Sequence, residues 1–203
     1  MNDFGLVVIG AHSGAWLNDI ILKYKNHKIL LVEPVPYNHQ ILQTKYNDNE
    51  NIFIDTNAIY SQNIKKEFFF VKESSIRKLG KHWASGIGSF NKQHILNHKN
   101  KRFNIENSDI SKIVIDFLTF DNLISKYEIQ SIDYLQIDVE GAEYEILSSI
   151  NFNKIDIKNI QFESKHFDGT FKEGHKLEEV KKKLKDSGYK LKQLDKENIL
   201  AKK

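Results

Sequence analysis

The residues best placed to do chemistry are three carboxylates around one glycine. Asp138, Glu140, Gly141 and Glu143 fall within Ile132-Asp-Tyr-Leu-Gln-Ile-Asp-Val-Glu-Gly-Ala-Glu-Tyr-Glu-Ile-Leu147. Acids so arranged can take up a proton, anchor a cation or share a metal ion. Packing alone needs no such crowd. The segment reads as a buried strand over Tyr134 to Ile137, then a helix from about Ala142 to Ile150. The carboxyl edge of a strand, opening onto a helix start, is where open α/β sheets bind ligands. Glu143 lies in the first helical turn, where it mainly complements the helix dipole.

A second constellation follows the first strand, Leu6 to Ile9. Gly10, Ala11, His12 and Gly14 form a glycine-bearing loop that opens a helix carrying Leu17, Ile20, Ile21 and Tyr24 on one face. Such a loop lets backbone approach a ligand closely. Glu33 ends the second strand, Lys28 to Val32. An acid at that place can hold both hydroxyls of a ribose. Pro34 and Pro36, the only prolines of the chain, stiffen the turn that aims it. The glycines are spaced G-x-x-x-G and Trp16 sits in the first helical turn, which suits a pyrophosphate poorly. S-adenosylmethionine carries no phosphate, so it is favoured over NAD. Asp55, Asn57 and Ala58 follow the third strand, Asn51 to Ile54.

Proton removal from an acceptor hydroxyl needs a base. Asp138 is the first candidate, as base or as anchor of the donor's methionine end. Glu163, ending the strand Asn159 to Glu163, and His166 beyond it are the others. Asp138 and Glu163 could instead share a divalent metal ion. Trp83, Ser85 and Ser89 lie in Trp83-Ala-Ser-Gly-Ile-Gly-Ser89, where two glycines allow hinging and the indole offers a face to a sugar ring.

The elements that must position these groups alternate between strand and helix, which predicts a parallel sheet with helices on both faces. Further strands are expected at Glu67 to Val71 and Lys112 to Phe117, covered on both faces like the others. Asn38 and Thr119 are expected as helix caps. A helix carrying Leu177, Val180 and Leu184 should end near Gly188. Two short strands, Tyr189 to Leu194 and Asn198 to Ala201, close the chain. Residues 74–101, with weak periodicity, are expected as a mobile lid on a single domain spanning 1–203, with one short helix around Gln93 to Leu96.

Val8-Ile-Gly-Ala-His-Ser-Gly14, Glu33-Pro-Val-Pro36 and above all Asp138-Val-Glu-Gly-Ala-Glu143 resemble the FkbM family of S-adenosylmethionine-dependent methyltransferases. The resemblance implies a Rossmann-like class I methyltransferase fold. That fold has a seven-stranded, mostly parallel sheet with one antiparallel strand. It implies methyl transfer to a hydroxyl, often of a sugar, hence here of a carbohydrate or glycoconjugate. It also makes Asp55 or Asn57 the adenine contact, with Ala58 leaving room for the ring. Two departures stand out: Val8 replaces a customary acid, and His12 a customary Asn. Asp138 and Glu140 are the acids available to substitute. The rival readings are a methyltransferase-like binding module that has lost catalysis, and an NAD-dependent oxidoreductase.

Composition bounds the rest. Hydrophobic residues at 40% with charged residues at 28% give a chain that folds. A net charge of +3 is too small to argue for a nucleic-acid partner. Lys181, Lys182, Lys183 and Lys185 read as a solvated helix face. The absence of cysteine excludes disulfides and a thiolate nucleophile. No apolar run approaches a membrane span and no signal segment leads the chain, so a cytoplasmic protein acting on a small-molecule or glycan acceptor is expected.

Overall fold

A computed structural model of the chain describes residues 2–99, 102–165, 167 and 174–203. Its main layer is a seven-stranded sheet. The strands are β1 (Asp3–Ile9), β2 (Lys28–Val32), β3 (Ile52–Asp55), β8 (Ser131–Ile137), β9 (Asp156–Glu163), β10 (Lys190–Gln193) and β11 (Asn198–Lys202), in the order β10-β11-β9-β8-β1-β2-β3. β11 runs antiparallel to both of its neighbours, and the remaining pairs are parallel. This is the expected Rossmann-like sheet with one reversed strand.

Alternation along the central strands builds two cores. Val7, Ile9, Leu30 and Val32 face one side, with Phe120 and Leu123 of α5 (Phe120–Lys126), Ile146 and Leu147 of α6 (Glu143–Ser149), and Leu177, Val180 and Leu184 of α7 (His175–Asp186). Leu6, Val8, Ile29 and Leu31 face the other, with Leu17, Ile21 of α1 (Asn18–Lys23) and Leu42 of α2 (Pro36–Tyr46). Both faces are therefore covered, as continuous apolar strands require. The Thr119 hydroxyl caps α5 by accepting from Asn122 N at 3.2 Å, as expected. α2 is different. It starts at Pro36, whose fixed φ suits a first helical position, and Asn38 is not its cap.

Between β3 and α5 lies a second layer that the sequence did not announce. β4 (Ala58–Ile59), β7 (Ile110–Leu118), β5 (Ile64–Val71) and β6 (Gly88–Ser89) form a separate four-stranded sheet in that order. β5 and β7 pair antiparallel. Alternate β7 residues are exposed, Val114 at 59%, so this sheet is wet on one face rather than covered on both. Lys112 and Glu67 make an ion pair across the β5–β7 pairing.

The segment expected as a mobile lid has elements and a small core of its own. Residues 74–99 carry α3 (Glu73–Leu79), a 3-10 turn at His82–Gly86, β6 and α4 (Lys92–Leu96). Leu79, Ala84, Ile87 and Ile95 pack with Val71, Phe103, Ile105 and Ile110 into a core of their own. The weak periodicity reflects short elements, not a lack of packing. No described helix is long and apolar enough to cross a membrane.

Candidate active site

The carboxyl ends of β8, β1, β2 and β3 stand side by side, and the second layer closes over them. A cavity of about 230 Å³ lies between. Gly10, His12, Glu33, Asn57, Asp138 and Glu140 line it from the edge of the main sheet, and Ala58, Trp83 and Ser89 from the second layer. Ala11, Gly14, Asp55, Ser85 and Glu163 do not reach its wall. His166 lies outside the described residues. Trp16, Phe68, Phe90 and Phe117 add aromatic rings to the wall. Sequence reasoning assigned none of these four a place there. Phe68, Phe90 and Phe117 lie on or beside the second sheet, and Trp16 in the turn after the glycine loop.

Glu33 is the best-determined member. Its Oε2 accepts from the His12 backbone N–H at 2.8 Å and its Oε1 from Val35 N–H at 2.9 Å. It thus ties the glycine loop to the turn after β2. Val8 itself is fully buried in an apolar core. Burial pushes the Glu33 carboxyl up to about 7 against the pull of those two N–H groups.

The glycines have packing reasons. A Cβ on Gly10, at φ +89°, would meet the Asp138 carbonyl oxygen at 1.7 Å. Gly10 therefore lets the ends of β1 and β8 close together. A Cβ on Gly14 would strike Leu42. Asp55 is committed elsewhere: its Oδ2 accepts from Lys126 Nζ at 2.7 Å and its Oδ1 from Asn57 N–H at 2.8 Å. Of the expected adenine contacts, Asn57 and Ala58 reach the cavity and Asp55 positions Asn57.

His12 holds the two layers together. Its Nε2 lies 2.5 Å from Ser85 Oγ. The Ser85 hydroxyl donates to the His82 carbonyl at 2.7 Å, so the imidazole is the donor and Nε2 carries its proton. Burial first, and His82 next, lower the His12 pKa, which keeps the ring neutral. The Ser85 carbonyl accepts from Asn38 Nδ2 at 2.8 Å and Tyr37 OH at 3.2 Å. Ser85 is thus a joint between layers, not a wall residue.

The acids after β8 are more crowded than expected. Asp138, Glu143 and Glu163 each bring a carboxylate oxygen within 4.8 Å of the others. Glu143 is fully buried and turns back to accept from Val139 N–H at 2.7 Å and Gly141 N–H at 2.9 Å. Its expected role along the first helical turn is corrected: it braces the loop from inside. Burial pushes Asp138 up to about 6, with Glu197 adding to it. Burial pushes Glu163 up to about 8, with Glu140 and Asp138 adding. Glu143 is raised well above the usual range by burial and by Glu163. At neutral pH, Asp138 is thus the cluster member best placed to hold a negative charge and take up a proton.

The profile of the Methyltransferase FkbM domain matches residues 9–191. Among solved structures, the chain is similar to a precorrin-6Y C5,15-methyltransferase from Geobacter metallireducens GS-15. Identity is 12% and the TM-score 0.46, covering 100% of this chain and 82% of that one. It is similar to a fibrillarin pre-rRNA processing protein of Methanococcus jannaschii at 12% identity and TM-score 0.46, covering 98% and 65%. It is also similar to the fibrillarin of Aeropyrum pernix, solved with natively bound S-adenosyl-L-methionine, at 15% identity and TM-score 0.46, covering 98% and 66%. The comparison with curated proteins found no match.

Proposed function

Since the chain belongs to the FkbM methyltransferase family, whose methyl donor is S-adenosylmethionine, we propose that it methylates a hydroxyl of a carbohydrate or glycoconjugate. One observation carries the reading: the order of groups along the sheet edge. Asp138 follows β8, Gly10 follows β1, Glu33 ends the β2 side, and Asn57 with Ala58 follows β3. The lining therefore runs from acid, through a buried carboxylate, to an amide beside apolar Ile59 and Phe117. This donor set fits a molecule with a cationic methionine end, a ribose diol and a flat adenine. Glu33 spends one lone pair of each oxygen on backbone N–H groups and keeps capacity for a ribose hydroxyl. An NAD pyrophosphate has no comparable cradle in G-x-x-x-G.

When bound, S-adenosylmethionine supplies a methyl group already activated by its sulfonium charge. Alignment and proton removal are left to the protein. Asp138 takes the proton of the acceptor hydroxyl, because its pKa of about 6 leaves it ionised at neutral pH. Glu163, at about 8, is largely protonated there, so it leaves the proton-accepting role to Asp138. Trp83, Phe90 and Ser89 form the acceptor side of the cavity, with flat faces for a sugar ring.

A panel of glycans with isotopically labelled S-adenosylmethionine tests the reading. Label transferred as a base-stable methyl ether, and lost in Asp138→Asn, supports it. S-adenosylhomocysteine binding with no label on any acceptor would favour the catalytically silent binding module. Label on nucleic acid or protein instead would overturn the carbohydrate assignment.

A further inference from the structure

We propose that His94, His98 and Glu140 form a binding site for a zinc-class divalent ion, which clips the second layer onto the loop after β8. Each of the three offers a donor atom, and these atoms lie within 4.8 Å of one another. The two histidines are four residues apart, His94 in α4 and His98 two residues past its end, and the turn between them brings their rings together. Both are buried, His94 at 3% and His98 at 0% exposure. The rings stand at 85° with centroids 5.5 Å apart, and His98 is stacked on Phe103, which fixes its plane.

Glu140 supplies the independent sign. It holds φ +55°, a left-handed conformation that a glutamate rarely adopts. Its Oε2 is buried and accepts no hydrogen bond. A carboxylate oxygen in that state is stabilised by a cation within bonding reach. Arg102 and Lys165 are the cationic side chains facing Glu140, and neither bonds that oxygen.

Two imidazoles and one carboxylate are a three-ligand set suited to zinc, with a fourth position for water. Magnesium and calcium prefer oxygen ligands alone. Zinc bonds of about 2 Å place tetrahedral donor atoms roughly 3.3 Å apart. Small side-chain rotations therefore complete the site. The acidic trio Asp138, Glu143 and Glu163 is an oxygen-only set and serves as the comparison. The inference stands apart from methyl transfer, and its test needs no turnover.

The test is to strip the full-length protein with a chelator and titrate it with Co²⁺ and then Zn²⁺. One equivalent of Zn²⁺, visible Co²⁺ bands and two imidazoles in the X-ray absorption spectrum of the zinc-loaded protein are expected. Affinity should fall at least 100-fold in His94→Ala and in Glu140→Gln, with circular dichroism confirming the fold, and persist in Glu163→Gln. An oxygen-only coordination shell would overturn the site even if the variants failed to fold. So would substoichiometric binding, undiminished affinity in folded Glu140→Gln, or loss confined to Glu163→Gln.

Discussion

The seven-stranded sheet and the four-stranded layer above it hold their side chains by different means. In the first, β1, β2 and β8 are covered on both faces, so residues at their ends inherit the rigidity of two cores. Glu33 and Asp138 project from such ends. In the second, β5 and β7 are wet on one face and depend on a smaller core around Ile87 and Ile95. That layer supplies aromatic wall, not acids: Trp83, Phe68, Phe90 and Phe117. The difference divides the labour. Groups whose charge must be placed accurately sit on the thick layer. Groups that set the shape of an acceptor pocket sit on the thin one. Ser85, held by His12, Asn38 and Tyr37, joins the two.

The largest expected effect lies on the thick layer. Asp138→Asn should lower kcat by about 10²–10⁴-fold, the usual worth of a positioned base. Single-turnover kinetics should show the loss in the methyl-transfer step itself. A loss confined to acceptor KM would move Asp138 from the chemistry to binding.

The thin layer is tested next. Ile95 is fully buried, so Ile95→Ala should cost about 2–5 kcal/mol, read from denaturant unfolding. A cost near zero would restore the picture of a mobile lid.

The layers should also differ in pH response. Burial raises Glu33 and Glu140 to about 7 and Glu163 to about 8, well above their unfolded values. The folded chain then binds more protons than the unfolded one between about pH 4.5 and 8. These groups therefore stabilise it less as pH rises through that window. Melting temperature should fall from pH 5 to pH 8. Glu163→Gln should flatten the upper part of that slope and stabilise the protein at pH 8, by on the order of 2 kcal/mol. A melting temperature that rises across this window would contradict the crowding of acids.

His12→Asn should have the smallest effect. Asn tolerates φ near +52° but does not reproduce the imidazole bond to Ser85. About 1 kcal/mol of stability should go, with acceptor KM rising more than donor Kd. Equal shifts in both would show that the joint also shapes the donor half.

Much of this was legible in the sequence where burial writes a clear pattern. The main-sheet strands appear as apolar runs, and the acids after β2 and β8 interrupt them. The second sheet was hidden because β4 and β6 are two residues long, too short for periodicity to register, although β5, β7 and α4 each read as an element. Its residues 58–118 interrupt the main fold, whereas only 74–101 read as an insertion. Gly10 was visible as a glycine but its reason was not. The Asp138 carbonyl it must admit comes from a strand more than a hundred residues away. Glu143 was read from helix position alone, yet the left-handed turn at Glu140 and Gly141 folds its carboxylate back inside. The i, i+4 spacing of His94 and His98 was present but lacked its third ligand, which only the tertiary fold brings near.

The central claim is that the donor lies across the ends of β8, β1, β2 and β3 with its ribose on Glu33. Calorimetric titration of S-adenosylhomocysteine into the wild type and Glu33→Ala tests it most directly, with circular dichroism confirming that the variant folds. The account predicts a loss of about 1.5–3 kcal/mol, roughly 10- to 150-fold in Kd. Unchanged affinity in the folded variant would contradict it and take the donor off this edge of the sheet.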